Sequence, residues 1–304
     1  MSTADTATVP AAGPADLAGA GAGTGTAARG PVPAWLRLFR SELRLIFGRL
    51  RNLALLAAVA ALPVLIGIAL RLAKPQGAGG PASSFIDQLA GNGVFLSLIA
   101  LTIMLALVLP LTVAVVSGDS VAGEAGSGTL RNLLTVPAGR ARLLSVKYAA
   151  IVIFALTACT VVVVASLAAG AALFPIGPVT LLSGNTVPLA DGLVRVLFVT
   201  LYVAAALSAL GAIGLAISTF TEHPIGAIAA ILMIGLISEV ADNIPQFAVV
   251  QPYLPTHWWL KFDSLLRSPI ATGDLLHGLL SFGLYIVIFC SIAWARFSST
   301  DVTA

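Results

Sequence analysis

The chain has 304 residues, of which 58% are hydrophobic and only 10% are charged. A soluble globular domain carries roughly 25% charged residues, so this composition excludes a chain that keeps a polar surface in water and points to the bilayer as solvent. The net charge of +3 is too small to argue for nucleic acid, and two isolated cysteines, Cys159 and Cys290, form neither a disulfide framework nor a CxxC metal site.

Residues 1–33 are mostly Ala, Gly, Thr and Pro. Such a segment buries too little surface to offset its ordering entropy, and a disordered cytoplasmic tail is expected. In the next stretch Trp35, Phe39, Leu43, Ile46 and Leu50 recur at helical spacing, with Arg37, Arg40, Arg44 and Arg51 on the opposite face. An amphipathic basic helix over 34–51, lying in the headgroup layer against anionic lipid, is predicted.

A membrane-crossing helix needs about 20 mostly apolar residues. Windows at 52–70, 94–117, 148–172, 194–217, 225–241 and 276–295 meet that need. The predicted fold class is therefore all-α integral membrane, with six transmembrane helices after the interfacial one. Pro63 and Pro110 interrupt the first two windows, which neighbouring helices tolerate. With the N-terminus placed in the cytoplasm, eleven of the 16 Lys and Arg residues fall inside. By the positive-inside rule, both ends, including a short tail over 297–304, are expected in the cytoplasm of a multi-pass protein of the cell membrane.

Between the second and third windows lies the most informative stretch, residues 118–147. Thr129 suits a helix start; Leu130, Leu133 and Leu134 then share one face, and Pro137 ends the helix. The expected product is a short cytoplasmic helix with an apolar knob and basic flanks, suited to a groove on a soluble partner. Glu124, Gly128-Thr129-Leu130, the Leu133-Leu134 pair, Pro137, Arg140 and Lys147 resemble the coupling loop of type-2 ABC transporter permeases, the export branch for drugs, lipids and polysaccharides.

The resemblance covers about residues 34–296 and implies a mechanism. Two permease halves, identical or similar, pair with two separate ATP-binding subunits that hold ATP and Mg. The helix around Leu130–Leu134 docks in a groove of that subunit, with Glu124 and Arg131 as polar contacts. ATP-driven closure then switches the spans between inward and outward openings and moves an apolar or amphipathic substrate out of the cytoplasm. No lysine follows a glycine in the chain, so a P-loop is absent from this sequence and the ATPase is expected on another polypeptide.

Other chemistry is thinly represented. Gly118-Asp119-Ser120-Val121-Ala122 lacks the last glycine of a serine-hydrolase elbow. His223, His257 and His277 fall in no zinc motif. Neither catalytic nor metal-ligating residues are therefore assigned. Glu239 and Asp242 end the fifth window; they either line the exit of a substrate path, for which Pro110 is a further candidate, or lie at the water boundary. Trp258 and Trp259, in the outer loop over 242–275, suit a membrane interface. The competing readings are an ion-driven secondary transporter, which needs acids near the span centres, and a membrane-embedded enzyme, which needs convergent catalytic side chains.

Overall fold

A computed structural model of the chain describes residues 34–72, 92–126, 140–181 and 183–299. The helices are α1 (Ala34–Gly48), α2 (Leu50–Leu72), α3 (Phe95–Leu105), α4 (Val108–Gly126), α5 (Arg140–Leu173), α6 (Leu189–Ser218), α7 (Pro224–Asp242) and α8 (Thr272–Ser299). A two-stranded hairpin, Val179–Thr180 against Thr186–Val187, joins α5 to α6, and three short 3-10 helices lie between α7 and α8. Six of these helices, α2 and α4 to α8, are long and apolar enough to cross a membrane. The predicted disordered tail over 1–33 and the loop stretch over 127–139 lie outside the described residues.

The second window, expected as one span over 94–117, is two helices, and the reason is Pro110. Its ring clashes with the carbonyl four residues earlier, and its missing N–H is harmless only in a first helical turn. The chain meets both demands by ending α3 at Leu105 and starting α4 at Val108, which leaves Pro110 in the first turn. Ala106 keeps helical dihedrals, so the break is short. Residues 118–126, expected as loop, continue α4, and Arg140–Lys147 already belong to α5. The C-terminal tail expected from 297 begins instead as the last turn of α8, which runs to Ser299.

The most deeply buried span is α6, packed against α4, α5 and α8, with α2 on the far side of α5 and α7 lying against both α4 and α6. Small residues permit this density, since in lipid helices associate by close packing rather than by hiding from water. A Cβ on Gly214 of α6 would fall 2.7 Å from the Ser117 Cβ on α4. At the other end of the bundle, Gly93 and Gly170 press backbone against backbone: a Cβ on Gly93 would lie 2.7 Å from the Gly170 carbonyl carbon. We predict that Gly214→Ala destabilises the protein by about 1–2 kcal/mol through overpacking. Thermal unfolding in detergent checks this, and an unchanged melting temperature would contradict the α4–α6 contact.

The face of α1 differs from expectation. Leu38, Phe39, Glu42, Leu43, Ile46 and Phe47 face the bundle, whereas Arg37, Arg40 and Arg44 are exposed as the spacing predicted. Trp35 and Leu50, assigned to the apolar face, are 52% and 84% exposed. The helix breaks at Arg49, so Leu50 follows the phase of α2 and not that of α1.

Candidate functional site

The described residues gather charge at one place, where the C-terminal half of α4 and the first turns of α5 meet α1 and the start of α2. The positioning begins with local structure. Asn52, buried in the first turn of α2, donates from Nδ2 to the Ile46 carbonyl at 2.8 Å. That bond satisfies a carbonyl that the end of α1 leaves without a helical donor, and it fixes the angle between α1 and α2. Arg49, in the break between them, and Arg51, one residue into α2, then reach Asp119 on α4. Arg49 Nη1 donates to Asp119 Oδ2, and Arg51 Nη2 donates to the same oxygen at 2.9 Å.

The second group centres on Lys147, whose side chain is only 3% exposed. Its ammonium donates to Glu42 of α1 and, at 2.6 Å, to Glu124 Oε1 in the last two turns of α4. An isolated ammonium out of water costs several kcal/mol, and close, hydrogen-bonded opposite charges offset that cost. The triad of one lysine and two glutamates is formally −1. The triad of two arginines and Asp119 is formally +1, so the two together are neutral. They share a cavity of about 30 Å³ lined by Glu42, Arg49, Asn52, Asp119, Ser120, Glu124 and Lys147 among others.

The geometry differs from the expected role of Glu124. Its side chain, 12% exposed, turns into the bundle and grips Lys147, whereas the sequence reading has it beside the loop as a contact for a partner. The reason is local: helix α4 continues to Gly126, which keeps Glu124 within the last turn of a rigid element. Gly128, Thr129, Leu130, Arg131, Leu133, Leu134 and Pro137 lie outside the described residues, and Arg140 opens α5. What the structure brings together is the two ends of the 127–139 stretch. Glu124 stands just before it and Lys147 just after it, and Glu42 ties both to α1.

Sequence reasoning missed Glu42, Arg49, Asn52 and Asp119 as members of this junction. A signal was present: in a chain this poor in charge, an Asp and a Glu five residues apart at the edge of an apolar run require partners.

The proposed substrate-path residues are scattered. Pro110 is buried in the packed interior, Glu239 is exposed, and Asp242 is half-buried at the end of α7. Asp242 Oδ1 lies 2.5 Å from His257 Nδ1, and Ser238 pairs with Thr256 at 2.7 Å, so this end of α7 is clasped to the stretch that follows it. Trp258 stacks on His277 with ring centroids 5.7 Å apart, and its backbone carbonyl accepts from the Tyr202 hydroxyl at 2.8 Å. No group of three or more metal-ligating side chains occurs among the described residues.

The family model for ABC-2 family transporter proteins matches residues 49–238, a stretch that runs from Arg49 of the junction into α7. This chain belongs to the ABC-2 transporter family. It is a multi-pass membrane permease, a transport subunit rather than a catalytic one, and ABC-2 permeases generally pair with an ATP-binding subunit. A search of curated proteins found no match.

Proposed function

We propose that this ABC-2 permease is the membrane subunit of an ATP-driven exporter, and that the 127–139 stretch is its coupling loop. The observation that carries the reading is the Glu42–Lys147–Glu124 triad. It ties the helices flanking that stretch to each other and to α1, so a force applied to the loop reaches three elements at once.

In this reading the junction and both termini are cytoplasmic, and α1 lies in the headgroup layer. A separate subunit binds ATP and Mg and receives the short helix carrying Leu130, Leu133 and Leu134. Gly128 and Thr129 start that helix, Arg131 flanks it and Pro137 ends it. Glu124 acts from within, holding Lys147, and not as a surface contact. Two such permeases, identical or similar, surround the substrate path and alternate between inward and outward openings. The apolar interiors of the spans suit an apolar or amphipathic cargo such as a drug, an antibiotic, a lipid or a lipid-linked glycan. Glu239 and the Asp242–His257 clasp then lie at the exit side.

Co-purification tests this. Tagged full-length chain, expressed in its native cell, is expected to bring down a subunit that carries a phosphate-binding P-loop. Leu133→Glu is expected to cut that capture at least about tenfold, because a charge forced into an apolar pocket removes a central contact. Undiminished capture by the variant would remove the loop from the coupling path.

A further inference from the structure

One face of α1 carries charge that nothing among the described residues answers. Arg37, Arg40 and Arg44 are spaced three and four residues apart, so they stand on one face of the helix, and all three are exposed. Among the described residues none of them has an ion-pair partner, while Arg49 and Arg51, just beyond, are both taken by Asp119. Leu36 and Leu45, at 39% and 50% exposure, flank the arginines on either side. A soluble acidic partner calls for a polar surround. Cations bordered by exposed leucines, on a helix that leads directly into a membrane span, match the boundary between headgroups and acyl chains. The opposite face of the same helix carries Glu42, which grips Lys147.

We propose that the Arg37–Arg40–Arg44 face is a docking surface for anionic phospholipid headgroups, and that lipid charge held there is transmitted through Glu42 to the Lys147 junction. The docking half stands on the geometry of α1 alone, and the transmission half rests on the ATP-driven reading above. Lipid phosphates fix the position of α1 by contacting its outer face. Glu42, rigidly opposite, then sets where Lys147 sits relative to Glu124. The helix thereby makes the tightness of the junction depend on the charge of the adjacent leaflet.

The test uses the full chain reconstituted in mixed phosphatidylcholine and phosphatidylglycerol bilayers, extracted gently, with the co-purifying lipid quantified by mass spectrometry. An arginine near an anionic surface contributes about fivefold to partitioning. Wild-type protein is therefore expected to retain phosphatidylglycerol above its bulk proportion. R37Q/R40Q/R44Q, checked for an unchanged melting temperature, is expected to lose that enrichment. Equal enrichment in both proteins, or none in the wild type, overturns the docking surface.

For transmission, ATP hydrolysis by the captured complex is measured as phosphatidylglycerol is raised. Wild type is expected to respond, whereas the triple variant and Glu42→Gln are expected to be flat, with Glu42→Gln still retaining the lipid. A response that survives in Glu42→Gln overturns the route through the junction. If no ATP-binding subunit is captured at all, the lipid measurement still decides the docking surface, so the two failures are separable.

Discussion

Replacing Lys147 with methionine is expected to lower stability by about 3–5 kcal/mol, the usual result of stripping a buried ion pair of one partner, and the melting temperature by about 10 °C. Methionine matches the length of the lysine stem, so packing is largely kept and the loss is electrostatic. Glu42 and Glu124 are then left facing one another, each 12% exposed, with no ammonium between them. The triple change Lys147→Met, Glu42→Gln and Glu124→Gln is expected to recover most of the stability, because the two like charges no longer face each other in a poorly solvated site. It is not expected to recover coupling to ATP hydrolysis, since neutral amides hold the three helices less tightly. Thermal unfolding in detergent reads the first effect and reconstituted ATPase activity the second. A single variant that melts like wild type would show that Lys147 is not the tie between α1, α4 and α5.

Asp119→Leu is expected to cost less, about 2–3 kcal/mol. The carboxylate is 10% exposed, but Arg49 and Arg51 are 45% and 48% exposed. Water therefore solvates the guanidiniums once the acid is gone, whereas it reaches the mostly buried Glu42 and Glu124 of the other triad poorly. The order of the two effects is the discriminating result. If Asp119→Leu proved the more damaging, the arginine pair and not the lysine would be the principal clamp. Raising salt separates the same two cases: the half-exposed arginine pair is screened and the buried lysine pair much less.

The number of crossing helices was readable because apolar length is a direct demand of the bilayer thickness. The boundaries were not, and the glycines explain why. Gly118, Gly123 and Gly126 read as loop, since a glycine costs a helix about 1 kcal/mol relative to alanine. In the fold Gly118 sits against Ile228 of α7, where a Cβ would come 3.1 Å from the backbone nitrogen. Close packing at this glycine thus outweighs local propensity and carries α4 past the expected end.

The exposed arginines of α1 were legible from spacing alone, but the acid on its inward face was not. Glu42 falls between Phe39 and Ile46 on the buried side, and no apolar pattern reveals an acid that is there for a lysine more than a hundred residues away. Lys147 was singled out only through the family resemblance. Lys147, its two carboxylates and the separate arginine triad beside them come from four helices and the break between α1 and α2, whose meeting depends on the tertiary arrangement.

The backbone contact of Gly93 with Gly170 fixes one end of α5, while Lys147 stands 23 residues away near the other end. At 1.5 Å per residue that separation is about 35 Å. Held at one end, the helix is a plank free to pivot about a fulcrum at the glycine crossing. A sideways shift of about 2 Å at Lys147, within the range of ordinary helix shear, tilts the plank by only about 3° and leaves the crossing itself in place. Bulk added at Gly170 would therefore move the fulcrum and alter the swing of the whole helix, although it is remote from every charged group in the junction.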